Sequence, residues 1–183
     1  MFNSKKLKAI KNQGNIVFKS RFLRSLSPME RYEFLQLCHR RTFKAGEVIY
    51  YQGDPGTGLY FIEEGQVELV VEPEDDEQKK PTFQIEAPEA FGGLSVAYEL
   101  RRISTARCTT DCTLLGFFKP DFATLRDRHP RIAIKILETL SRITMKQLEH
   151  TSRELTKATN IAHAFSIQFE VYYQNSNDID ETL

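Results

Sequence analysis

FKAGEVIYYQGDPGTGLYFIEEGQVELV, residues 43–70, decides the architecture. Runs of strand length, EVIYYQ, GLYFIEEG and QVELVVE, succeed one another, separated by the turns GDPGTG and EEGQ, whose glycines suit the positive φ of tight reversals. Runs this short, rich in β-branched and aromatic residues and broken by Gly, Pro and Asp, predict strands rather than helices.

The same texture continues through PTFQIEA, ISTARC and CTLLGFF, so the middle of the chain predicts a mainly β fold, an antiparallel sandwich or roll. The acidic stretch EPEDDEQKKP, residues 72–81, is expected as a solvated hairpin loop. Upstream, SLSPMERYEFLQLCHRR starts with Ser27 as a cap, Pro28 in the first turn and Glu30 three residues after the cap, which predicts a helix from Pro28 to Cys38. A further short helix, interrupted near Gly14, is expected before it. Downstream of Lys119-Pro120 the pattern turns helical: PDFATLRDR is a short helix, and Pro130 opens a long one. Along it Ala133, Leu137, Leu140, Thr144, Leu148 and Leu155 form a narrow apolar stripe suited to a helix pair, its first half also packing across the β-roll. The final segment alternates apolar residues at Phe165, Ile167, Phe169 and Val171, compatible with an edge strand or a helix.

The chain has 183 residues and no formal net charge, but the charge is unevenly spread: residues 1–44 carry 11 Lys/Arg against 2 Asp/Glu, and residues 45–100 carry 2 against 13. The basic N-terminal segment is expected to meet the acidic middle rather than a polyanion or membrane. No apolar run approaches the roughly 18 residues of a membrane span, and no signal peptide is evident, so a cytoplasmic location is expected. Cys38, Cys108 and Cys112 lack a C-x-x-C pair, and His39, His129, His150 and His163 lack ligand spacing. Neither metal nor other cofactor is expected, and Cys108 and Cys112, four apart in sheet, should share one buried face. Nucleophile–base arrangements and phosphate loops of enzymes are not recognisable, which predicts a non-enzyme. The residues after Thr159 end acidic and carry no Arg/Lys-rich helix, so DNA binding by this chain is not expected.

One further segment carries chemistry: AFGGLSVAYELRRISTA, residues 90–106. A short helix starting near Gly92 to Leu94 would present free backbone N–H groups, and a guanidinium such as that of Arg102 adds bidentate pairing to phosphate oxygens. The segment reads as built around an anion. RRIST also has the form of a kinase substrate site at Ser104, but its place within the roll makes this a chance match.

Residues 43–70 and the cassette at 90–106 together resemble the cyclic-nucleotide-binding domain family, which includes protein kinase A regulatory subunits, cyclic-nucleotide-gated channels and catabolite-activator-type regulators. The resemblance spans roughly residues 28–158. It implies an antiparallel β-roll (jelly roll) with flanking helices and a long C-terminal helix. The chain is accordingly expected to divide into an N-terminal helical, basic segment at 1–27, the roll at 28–129, a long C-terminal dimer helix at 130–160 and a tail at 161–183. In the cassette, Phe91, Gly92 and Leu94 match the family, Ser95 is an acceptable small residue and Arg102 stands where the family pairs its phosphate. Gly93 replaces the family's glutamate, which accepts from the ribose 2′-hydroxyl; a charge-assisted bond is worth roughly 1.5–3 kcal/mol, so nucleotide affinity should fall about one to two decades. Arg101 replaces the customary proline, and Glu99 is an alternative contact for the sugar.

The resemblance thus implies a ligand sensor in signal transduction. A small anionic ligand, a cyclic nucleotide or other phosphate, would bind at Phe91, Gly92, Gly93, Leu94, Ser95, Arg101, Arg102 and Ser104, with a homodimer formed through the C-terminal helix. The alternative is a degenerate module that binds no nucleotide and serves a protein partner as scaffold.

Overall fold

The computed structural model describes residues 16, 19–72 and 81–174. Residues 1–15, 17 and 18 of the basic N-terminal segment, where a short helix interrupted near Gly14 is expected, the acidic loop expected at 72–81 (apart from its two end residues) and the last nine residues lie outside the described residues. Residues 1–140 and 141–183 form two compact units, each described here by itself.

Helix α1, Pro28–Gln36, begins as its sequence dictates: Ser27 Oγ accepts from the Glu30 N–H at 3.3 Å, and Glu30 Oε2 accepts from the Ser27 N–H at 2.7 Å. It ends two residues before the expected Cys38. His39–Phe43 form a strand, β1, that the sequence reading did not contain. Its side chains are mostly exposed, so no apolar alternation marks it; pairing from His39↔Gly116 to Phe43↔Cys112 creates it. The strands that follow are β2 (Val48–Tyr50), β3 (Gly58–Glu64), β4 (Gln66–Val70), β5 (Thr82–Glu86), β6 (Ala90–Phe91), β7 (Thr105–Cys108) and β8 (Cys112–Phe118). They assemble as two antiparallel four-stranded sheets of order β1-β8-β3-β6 and β2-β7-β4-β5, the expected β-roll.

Strands β3 and β8 read as near-continuous apolar runs because both their faces are buried. Tyr60 and Ile62 of β3, with Cys112 and Leu114 of β8, meet Val67, Ala106 and Cys108 of the second sheet in one core cluster. Leu59 and Phe61, with Leu115 and Phe117, face the other way into a second cluster with the helices. There Phe34 lies 4.6 Å from Phe117 and 5.7 Å from Phe61, centroid to centroid. Phe22, Leu23 and Leu26, from the segment ahead of α1, are buried in the same cluster. Burying each such side chain contributes roughly 1.5–3 kcal/mol, which fixes the helices on this face.

Helix α2 spans Lys119–Arg128, and α3 spans Pro130–Ala158. The start of α3 packs on the roll as expected, but through a face rotated from the predicted stripe. Ile132, Ala133, Ile136, Thr139 and Leu140 are buried, whereas Leu137 is partly exposed and Leu148 is 48% exposed. Polar contacts favour this rotation: Lys135 Nζ donates to both Glu30 carboxylate oxygens at 2.7 and 2.8 Å, and the Ser25 and Thr139 hydroxyls bond at 3.0 Å. In the second unit the final apolar segment is helical, α4 (Ile161–Gln174), opened by Asn160 Oδ1 accepting from the His163 N–H at 2.9 Å. Its alternating apolar positions are also spaced by four, so the cap decides between strand and helix.

Cys108 and Cys112 are both buried, as expected, but on β7 and β8 in different sheets. The turn Thr109–Asp111 separates the two strands, yet both cysteines lie in the same core cluster between the sheets, so the shared buried face is kept. Burial pushes the Cys108 thiol up to about 12, with its hydrogen bond to Cys112 adding to the shift.

Candidate functional site

The cassette follows β6. Gly92 takes a left-handed conformation, φ 74°, and turns the chain into Gly93–Val96. The expected short helix is present as a single 3-10 turn of four residues, Gly93–Val96, too short for the helix-dipole argument for an anion site to carry over. What replaces it is the arginine. Arg102, 6% exposed, folds inward beneath this turn. Its Nη1 donates to the Gly92 carbonyl and to Ser95 Oγ, both at 3.0 Å, and its Nη2 donates to the Gly58 carbonyl at 2.8 Å. The guanidinium carbon stands 4.1 Å from the centre of the Tyr50 ring.

The partners are therefore two carbonyls, a hydroxyl and an aromatic face. Among the described residues no carboxylate pairs with Arg102, and its buried Nε has no hydrogen-bond partner. A guanidinium carries five N–H donors. The three bonds above leave the Nε–H and one Nη2–H, and Nε and Nη2 flank the edge of a guanidinium that can pair with two oxygens of one phosphate.

The other predicted residues divide into those that gather on Arg102 and those that do not. Ser95 is buried, and its Oγ donates to the Gly92 carbonyl at 3.2 Å while accepting from the arginine. Phe91 is buried and stacks on Tyr60, with centroids 5.4 Å apart. Ser104 is buried and bonds the Tyr50 hydroxyl, whose pKa burial pushes up to about 12 against the opposing Arg102 charge. Leu94 is half-buried. A Cβ on Gly93 would meet Leu140 and Phe22 at 3.4 and 3.6 Å, which directs position 93 toward the helical cluster. Arg101 lies on the surface, bridging to Pro55 and donating from Nη1 to the Gly53 carbonyl at 2.8 Å. Glu99 is exposed and pairs with Lys119 at 3.5 Å.

Sequence reasoning missed Tyr50, Gly56 and Gly58. Tyr50 reads as one more strand residue until β2 lies beside Arg102. Gly56 and Gly58 read only as turn glycines, yet a Cβ at Gly56 would lie 2.2 Å from Ser95 Cβ. The loop bearing them is strapped to the cassette by Gly53 N to Arg102 O at 2.8 Å, Arg102 N to Asp54 O at 2.9 Å and Gly56 N to Leu100 O at 2.8 Å. A cavity of about 570 Å³ elsewhere, beside Lys44, Glu47, Asp111 and Cys112, includes none of the cassette residues. Among the described residues no cluster of His, Cys, Asp or Glu could hold a metal, and no helix is long and apolar enough to cross a membrane.

Two four-stranded antiparallel sheets, helices on one face and a glycine-entered turn over an internal arginine define a jelly-roll module that ends in a long helix. Residues 40–129 match the family model described as the cyclic nucleotide-binding domain, and this segment of the chain is a domain of that family. Among curated relatives, the cyclic AMP receptor protein of Thermus thermophilus is 32% identical over 118 residues, 64% of this chain and 54% of that protein. A Rhodopseudomonas palustris protein bearing the name of a potassium channel is 32% identical over 114 residues, 62% of this chain and 27% of its own length. The chain thus spans about half or less of these two relatives. The crystal structure of the Thermus thermophilus catabolite activator protein superposes with a TM-score of 0.66 at 27% identity, covering 75% of this chain and 62% of that one.

Proposed function

We propose that this chain is a non-catalytic regulatory sensor that binds a small phosphate-bearing anion, a cyclic nucleotide being the first candidate, at the cassette around Arg102. The observation that carries this reading is the buried guanidinium whose partners among the described residues are all neutral and whose Nε has none. Burying a cation costs several kcal/mol unless an anion offsets it, so a site of this kind favours an incoming phosphate. Phe91, Gly92, Leu94 and Ser104 frame the site. Gly93 supplies no carboxylate for a sugar, and Arg101 acts on the rim. The relatives' names, a cyclic AMP receptor and a catabolite activator, support the ligand class. Output passes through α3, whose Leu140 lies next to position 93, to a second copy or another protein partner.

A second reading is favoured by the same Gly93: without the carboxylate the module binds no nucleotide and serves as a scaffold. Thermal unfolding and calorimetric titration with cyclic AMP, cyclic GMP, a cyclic dinucleotide and inorganic phosphate separate the two. The sensor reading expects a rise in Tm and measurable heat with at least one of them. Silence with all four overturns it in favour of the scaffold.

A further inference from the structure

Ser95 sits at a point where one proton decides what a hydroxyl can do. Its Oγ donates to the Gly92 carbonyl at 3.2 Å, so its single hydrogen is spent, and the lone pairs that remain accept from Arg102 Nη1 at 3.0 Å. The side chain is buried, and the Gly56 backbone closes over it so tightly that a Cβ at position 56 would lie 2.4 Å from Oγ. A hydroxyl with its proton committed and its swing blocked has nothing to donate to an incoming anion. From these contacts we infer that Ser95 is a positioning residue. It clamps Nη1 of Arg102 against the Gly92 carbonyl and thereby leaves the Nε/Nη2 edge of the guanidinium as the one presented to phosphate.

This inference rests on the sensor reading and assigns Ser95 a role in it other than ligand contact. Nη1 is held by two acceptors that belong to the cassette turn itself, Gly92 O and Ser95 Oγ. Without the Ser95 oxygen, Nη1 keeps one acceptor, its NH2 group turns more freely, and the guanidinium plane is less restrained about the Cδ–Nε and Nε–Cζ bonds. The edge facing the ligand is then no longer fixed in advance, and its ordering must be supplied at the moment of binding.

The test compares wild type and Ser95→Ala by calorimetric titration with cyclic AMP and cyclic GMP, and by nitrogen-15 spectra of the Arg102 side chain in ligand-free protein. The clamp expects slow, resolved Nη1 rotation in wild type that becomes averaged in Ser95→Ala. It also expects about a tenfold or greater loss of affinity in the variant, the scale of one charge-assisted hydrogen bond, with Tm shifted by only a few degrees. Ser95→Cys, which keeps a weaker acceptor, should fall between the two and serves as the comparison if Ser95→Ala does not fold. Wild-type binding with undiminished affinity in Ser95→Ala, or unchanged Nη1 rotation, overturns the clamp and leaves the sensor reading standing. Failure of wild type to bind either nucleotide overturns the clamp, and the sensor reading falls with it only if the cyclic dinucleotide and inorganic phosphate are silent as well, whereas averaged Nη1 rotation already in wild type overturns the clamp alone.

Discussion

Replacing Arg102 with methionine separates a ligand-binding arginine from a structural one. Methionine keeps much of the side chain's length and packing but removes the charge and all five donors. On the losing side are three hydrogen bonds, to Gly58 O, Gly92 O and Ser95 Oγ, and the contact with the Tyr50 ring. At about 1.5–3 kcal/mol for each charged hydrogen bond and about 1 kcal/mol for the ring, they amount to roughly 5–10 kcal/mol of gross interaction. On the gaining side is relief of a guanidinium buried without a carboxylate, several kcal/mol, with roughly 2 kcal/mol more from a buried thioether side chain. The two sides offset to within a few kcal/mol, so ligand-free Arg102→Met should unfold in urea within about 2 kcal/mol of wild type. The ligand response should differ entirely. Wild type with cyclic nucleotide at a hundred times its Kd gains about 2.7 kcal/mol, and the variant should gain nothing. Urea titrations with and without ligand read both quantities. A ligand-induced gain that survives in Arg102→Met would refute the assignment of the phosphate to Arg102, and a ligand-free loss above about 4 kcal/mol would make the arginine a structural element.

Other outcomes follow from the same geometry. Gly92→Ala places a Cβ at a φ of 74° and 2.5 Å from Arg102 Nη1, so it should cost about 1–3 kcal/mol in urea unfolding and abolish ligand-induced stabilisation. Glu30 is held below its ordinary carboxylate value, first by the Lys135 hydrogen bond and then by the Ser27 N–H. A depressed pKa stabilises above the unfolded carboxylate value, about 4.3, and that stability is lost as pH falls through the folded value. Glu30→Gln should therefore unfold about 1 kcal/mol more easily at pH 7 and show a flatter decline in stability below about pH 4.5. With its thiol pushed up to about 12, Cys108 should resist an aromatic disulfide reagent at pH 8 in native protein, while all three cysteines react after denaturation.

The sequence by itself determined the elements whose signals are local. The Ser27-Pro28-Glu30 cap started α1 because its hydrogen bonds close within one turn, and the glycine turns around β3 placed the reversals because few residues but glycine adopt those φ values. It also marked Arg102 as the residue to watch, through the cassette at 90–106. Tertiary structure alone decided the rest. β1 carries no apolar alternation and exists because β8 offers it an edge to pair with. α3 buries Ile132 and Ile136 rather than Leu137 because Lys135 and Thr139 are fastened to Glu30 and Ser25. The cassette helix shrank to one 3-10 turn, and the surroundings of Arg102, from Tyr50 to Gly58, come from strands more than forty residues upstream. That no carboxylate among the described residues pairs with the guanidinium is a fact about which chain segments meet in space, and one-dimensional spacing holds no record of it.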